Sequence, residues 1–264
     1  MQKSEKDPTR KPETTHTSDP VEFGGLIVPP FYGCGEILTW STNLLLDSVK
    51  NKELYARYWT TGKNGSSENR DEMEGKLAEI FRILTEEITE NDLIDARGFY
   101  AYYPVIADKN SIILLSPDDF HSEVMSLYFP QSGDRSIAAF FRPEGDVLPI
   151  LAATIGNRFV DGFNKYNQEE GVKEYYLPVP GNYLIDIVAE KMITEIQRGL
   201  GLPKNQGRKY HFGDSGMPGK EKNQDLIELL CADDRLGITV NESYQLQPEH
   251  SSIALFVHHP EVTK

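Results

Sequence analysis

The middle of the chain constrains the fold most. The runs "GFYAYYPV", "SIILLS", "SIAAFF" and "LPILAATIG" are short, aromatic or β-branched, and separated by Gly, Pro, Asp and Ser. Such runs read as strands. Before them lie two helical patterns. From Glu36 to about Tyr58, Ile37, Trp40, Leu44, Leu45 and Val49 share a stripe. After the loop "TTGKNGSSENR", which Ser66 or Ser67 closes as a helix cap, Met73, Leu77, Ile80, Phe81, Leu84 and Ile88 recur at helical spacing with Glu and Lys between them. Helix returns from Gly181 to about Leu200, with Leu184, Ile187, Val188, Met192 and Ile196 inward, and again from Asp225 to Cys231; "GITVN" and "SSIALFVHH" close the chain as strands. Helices first, then strands, then a mixture, without βαβα alternation, predict an α+β fold in which helices pack around a central twisted, mainly antiparallel sheet. Residues 1–20 are too polar to build a core and read as a disordered tail, leaving 21–264 as one domain.

The surface chemistry narrows the partners. Lys plus Arg is 27 against 41 for Asp plus Glu, a formal charge of -14. That balance argues against non-specific nucleic-acid binding, which needs cations to displace phosphate counterions. No apolar run approaches the roughly 18 residues of a membrane span, and the N-terminus lacks the apolar core of a secretory signal. Two cysteines, Cys34 and Cys231, make no disulfide framework. A reduced, cytoplasmic setting follows as the expectation.

Residues 209–220, "KYHFGDSGMPGK", carry three competing motifs. Gly213-Asp214-Ser215-Gly216 spells the start of a serine-protease nucleophile motif. A nucleophilic serine needs a histidine base that a third group orients, and none of the six histidines sits in the sequence context of that class. Gly219-Lys220 resembles the end of a phosphate-binding loop. That loop requires Gly where Asp214 stands and Ser or Thr where Glu221 stands, so the reading fails. Glycines at 213, 216 and 219 leave a turn that either admits a ligand close to the backbone or is a plain surface loop.

The surroundings of this stretch carry more. "GRKYHFGDSGMPG" is followed by the helix "DLIELL" and then by "LGITVNESYQLQPEHSSIALFVHHP". This order resembles the S-adenosylmethionine-binding activation domain of cobalamin-dependent methionine synthase, whose pattern is an Arg, three variable residues, then Gly-Tyr-Pro-Ala-Cys-Pro. Gly213 matches the motif glycine and Pro218 its last proline. Val240-Asn241-Glu242-Ser243 matches a Thr-Glu-Ser strand, and His259-Pro260 the closing pair. "GFYAYYPVIADKNSI", "DVLPILAATIG" and "VPPFYGCGEILTW" resemble three upstream segments, so the likeness covers about residues 25–260. Departures fall on the ligand positions. The motif Arg is Lys209, its Tyr is Asp214, and its Pro-Ala-Cys is Ser215-Gly216-Met217. The acidic residues of the first and later helices fall on Thr39 and near Thr194, beside Glu195.

The resemblance implies a free-standing, divergent module, accessory to a cobalamin-dependent methyltransferase, that presents S-adenosylmethionine for remethylation of an oxidised corrinoid held in trans. The implied partners are methionine synthase or a related corrinoid protein, with an electron donor such as flavodoxin; cobalamin enters only through that partner. The alternative is a degenerate member without S-adenosylmethionine binding that serves as a corrinoid-protein docking or regulatory module. A different adenosyl or carboxylate ligand in the same cleft is a third reading. The implied ligand-side residues are Lys209, Tyr210, His211, Gly213, Asp214, Ser215, Glu242, Tyr103, Thr39 and Thr194, with none assigned to catalysis. Several have plainer readings. Asp214 suits an Asx turn, Tyr102 and Tyr103 suit a core, and Trp40 and Trp59 sit on helical stripes. His211 is either a corrinoid ligand, a proton relay or a loop histidine. His258 and His259 lack a third partner at metal-ligand spacing, so no metal site is expected.

Overall fold

The computed structural model describes residues 27–50, 67–132, 135–167, 178–259 and 261–262. The expected tail with His16, the loop before Ser67 with Ser66 and Trp59, and Pro260 of the closing pair lie outside them.

The architecture follows from three long strands whose residues are apolar on both faces. β3 (Ala96–Asp108), β6 (Asp146–Thr154) and β10 (Ser251–Val257) are almost wholly buried. They form the centre of one antiparallel sheet. Its remaining strands are β1 (Gly33–Cys34), β2 (Leu38–Trp40), β4 (Ser111–Leu115), β5 (Glu123–Tyr128) and β7 (Arg208–Tyr210). The order is β5-β4-β3-β6-β10-β7, with β1 and β2 also pairing with β3. A strand buried on both faces must be covered on both, and here it is. α1 (Thr42–Leu46), α2 (Ser67–Glu90), α3 (Asn157–Asn167) and α4 (Pro178–Gly199) lie over one face. α5 (Asn223–Leu230), α6 (Ala232–Leu236) and a 3-10 turn at Ile137–Phe140 lie over the other. A small hairpin of β8 (Thr239–Val240) and β9 (Leu246–Gln247) leads into β10.

Side-chain alternation divides the core in two. Phe99, Ala101, Tyr103 and Val105 of β3 join Leu148, Ile150, Ile253 and Leu255 under α5 and α6. Tyr102, Leu151, Ala254 and Phe256 face Leu184, Val188, Met192 and Ile196 of α4. α4 sits close because Gly98 has no side chain: a Cβ there would lie 2.6 Å from the Met192 sulfur.

Two expected elements differ. The stretch from Glu36 to Val49 is not one helix. Leu38–Trp40 pairs with β3, and the helix begins only after Ser41, whose hydroxyl accepts from the Leu44 amide. Ile37 and Leu44 are consequently exposed, while Leu45 is fully buried. "SIAAFF" is a 3-10 turn rather than a strand, because the Ser136 hydroxyl caps the Ala138 amide. The sequence pattern also passed over β5, α3 and α6.

Candidate functional site

β7 is three residues of edge strand, and its register decides what each side chain can reach. Lys209 lies opposite Phe256, while Tyr210 and Arg208 lie opposite Leu255 and Val257. Phe256 belongs to the α4-side core, so Lys209 points that way. There its ammonium meets the Asp186 carboxylate of α4 at 2.5 Å, with the side chains 18% and 32% exposed. Arg208 and Tyr210 take the opposite face, the guanidinium 5.5 Å from the Tyr210 ring centre.

The chain then turns back on itself. Gly213 (φ +91) and Gly216 (φ +79) occupy the left-handed region. The Gly213 amide donates to Pro218, and the Met217 amide to the Asp214 carbonyl. The Asp214 carboxylate accepts from the His211 amide at 2.8 Å, while the Asp214 amide donates to the His211 carbonyl. Asp214 thus spends its side chain within the loop, closing the His211–Asp214 turn from its far end rather than opening an Asx turn. Ser215 meets the Ser132 hydroxyl at 3.3 Å, and Phe212 and Met217 anchor the loop in the α5-side core.

His211 sits where the loop leaves the sheet. Its Nδ1 lies 3.1 Å from the Ile253 carbonyl. Nδ1 therefore carries the proton and donates, leaving the lone pair on Nε2. Burial, then the Lys209 charge, holds the imidazole below the usual histidine range, so it is neutral near pH 7. The ring lines a cleft of about 540 Å³ with Lys220, Asn223, Tyr244, Glu249 and Ser251.

Thr39 and Thr194 occur together elsewhere. They line a cleft of about 480 Å³ with Leu38, Trp40, Lys191 and Glu195, between β2 and α4. The Thr194 hydroxyl donates back to the Glu190 carbonyl, and Glu195 is paired with Arg198. β2 and β7 are separated by β3, β6 and β10, or roughly 19 Å at the usual strand spacing. The ten implied ligand residues therefore do not make one pocket. What joins the two regions is α4, which carries Asp186 at one place and Thr194 about 12 Å further along its axis.

Of the ten implied residues only His211, Thr39 and Thr194 line these two clefts, and Tyr103 and Glu242 have settings of their own. Tyr103 is buried under α5, its hydroxyl donating to the Leu229 carbonyl at 3.3 Å. Burial, above all, pushes its phenol pKa far up. Glu242 is not on a strand beside the loop. It is exposed in the turn between β8 and β9, because the Asn241 side chain accepts from the Ser243 and Gln245 amides and ends β8 at Val240. Sequence reasoning missed Asp186, which in a helical pattern looks like one more polar position. Its pairing with Lys209 depends on how α4 packs over β10, the neighbour of β7. Among the described residues, no group of three or more His, Cys, Asp or Glu could hold a metal, and no helix is long and apolar enough to cross a membrane.

A solved structure shares this fold. The crystal structure of a MetH reactivation domain bound to AdoHcy superposes with a TM-score of 0.77, over 92% of this chain and 83% of that one, at 14% identity. The chain has the methionine synthase reactivation-domain fold. In sequence this reactivation-domain-like chain is 25% identical over 300 residues to methionine synthase of Mycobacterium tuberculosis (strain ATCC 25618 / H37Rv), covering 99% of this chain and 25% of that protein. It is 25% identical over 298 residues to methionine synthase of Mycobacterium leprae (strain TN), covering 98% and 24% respectively. The chain thus spans about a quarter of the length of these two relatives. No protein-family model matches it.

Proposed function

We propose that this reactivation-domain-like chain binds S-adenosylmethionine and presents it to an oxidised corrinoid held by a partner domain. Lys209 beside Asp186 carries this reading. An α-amino acid end bears a carboxylate and an ammonium, and an adjacent Lys–Asp pair, half-buried against α4, offers the complementary charges. Lys209 replaces an Arg fork with a point charge, and Asp186 adds a charge that completes the match. Such a pair is a fit for the zwitterionic end. The bound group supplies the methyl for transfer; the work of these residues is to fix its position and orientation beside the acceptor. Partner, electron donor and methyl transfer in trans belong to the same proposal. The solved reactivation domain bound to AdoHcy supports a ligand of this class.

A second reading has its own support. Lys209 already has a carboxylate partner, and Asp214 is consumed by its turn. Both favour a module that docks a corrinoid protein without binding the nucleoside.

Calorimetric titration with S-adenosylmethionine separates the two. The first reading expects saturable binding that Lys209→Ala weakens by roughly tenfold to a hundredfold, the worth of one charge-assisted hydrogen bond. No heat of binding up to millimolar ligand overturns it and leaves the docking module.

A further inference from the structure

The chain has two cysteines, far apart in sequence, and the fold brings both to one helix end. Cys34 on β1 directs its thiol to the Leu230 carbonyl, with sulfur and oxygen 3.9 Å apart. Cys231 is the next residue, in the left-handed conformation (φ +48) that divides α5 from α6, and its thiol lies 3.8 Å from the Glu228 carbonyl. Both sulfurs thus approach last-turn carbonyls of α5, that of Glu228 being shared with the Cys231 amide. A peptide oxygen sits about 2.8 Å from the next Cα, so the Cys34 sulfur is within about 7 Å of the Cys231 Cα.

The neighbours hold this approach. Arg235 of α6 donates to the Gly35 carbonyl, directly after Cys34, and lies over the Phe99 ring at 4.1 Å. Tyr103 fills the space behind, bonded to the Leu229 carbonyl. Both cysteines are nevertheless exposed, so a small reagent reaches them.

We propose that Cys34 and Cys231 form a reversible intramolecular disulfide that fastens β1 to the junction of α5 and α6. Side-chain rotation and a small shift of β1 at Cys34 bring the pair into the Cα separation that a disulfide takes, about 4.4–6.8 Å. The oxidant is a small-molecule disulfide such as oxidised glutathione. One cysteine thiolate attacks it, forming a mixed disulfide and expelling one glutathione thiolate. The second cysteine thiolate attacks the protein-side sulfur, closing the bridge and expelling the other glutathione. The two thiols lose two protons and two electrons, and glutathione disulfide becomes two glutathione thiols. Burial, the largest influence, raises the Cys34 thiol pKa against the opposing charge of Arg235, so attack by Cys34 needs a higher pH than attack by an ordinary thiol. This site stands independently of the ligand reading above.

The test treats the reduced full chain with oxidised glutathione, quenches with an alkylating agent, and reads intact mass and a peptide map. The expected product is monomeric, lighter by two hydrogens, unalkylated, and yields a Cys34–Cys231 linked peptide. Cys34→Ser should stop at a stable glutathione adduct on Cys231. The same treatment of guanidine-unfolded chain should close the bridge at least about tenfold less readily, because proximity then depends on random loop closure. Stable glutathione adducts on both cysteines of the native chain, or linkage only between chains, overturns the proposal. Equal closure in native and unfolded chain does so too, since the fold would then contribute nothing.

Discussion

Asp186→Asn tests the zwitterion reading by the sign of its effect. The Lys209 ammonium and Asp186 carboxylate stand 2.5 Å apart in a partly exposed setting. If Asp186 receives the ligand ammonium, the amide removes one charge-assisted hydrogen bond, about 1.5–3 kcal/mol. It also releases Lys209 from its internal partner, which returns about 0.5–1 kcal/mol for a pair this close to solvent. The net loss is about 0.5–2.5 kcal/mol, or binding weaker by roughly twofold to seventyfold. If Asp186 merely competes with the ligand for Lys209, only the second effect operates, and binding tightens by about twofold to fivefold. Calorimetry with S-adenosylmethionine and with S-adenosylhomocysteine reads the difference, and both ligands should respond alike because they share the amino-acid end. Decarboxylated S-adenosylmethionine, which keeps only the ammonium, should lose nothing on Lys209→Ala and gain about twofold to fivefold from the freed Asp186. Tighter or unchanged binding by Asp186→Asn, in protein with an unaltered circular dichroism spectrum, refutes the reasoning.

Two further expectations concern the scaffold. Gly181→Ala places a Cβ 2.4 Å from the ring of His250, which is buried beside Phe159 and bonded to Asn182; urea denaturation should show a loss of about 1–3 kcal/mol. Stability should also fall on acidification in two stages. His211 and His250 have folded pKa values depressed below 6.5, mainly by burial, so their contribution is present above that pH and is lost as pH falls through the folded values. Asp146 meets its strongest influence in burial, which opposes ionisation, but the His258 hydrogen bond and charge with the Arg142 and Val147 amides outweigh it and hold the carboxyl below 3.8. Its contribution is present above pH 3.8 and disappears below. Denaturation midpoints measured across pH should show both declines, and Asp146→Asn should flatten the second; a flat profile between pH 7 and 5 would count against the histidine assignments.

The residues that sequence made legible are those whose partners are local or periodic. The stripe Leu184, Val188, Met192, Ile196 gave α4 its length and its buried face, and the apolar runs of β3, β6 and β10 gave the sheet. Where a single side chain caps or ends an element, the pattern misled. Ser41 and Ser136 each start a helical turn, and Asn241 stops β8 before Glu242. The site was less legible than the fold. Thr39 and Thr194 do share a cleft, but nothing in a linear pattern placed Thr39 four strand spacings from Lys209. Asp186 meets Lys209 only through the packing of α4 beside the sheet edge, which no local pattern encodes.

The brevity of β7 limits how this surface can change over time. Three residues address two different sides of the sheet in turn. A one-residue deletion before Lys209 would therefore exchange the groups presented to each side, sending an aromatic ring towards Asp186 and the ammonium towards the α5 side. Altering the chemistry gradually is then a matter of substitution in place. The segment between Gly207 and Phe212 should keep a constant length among relatives, even where nearly every letter within it differs.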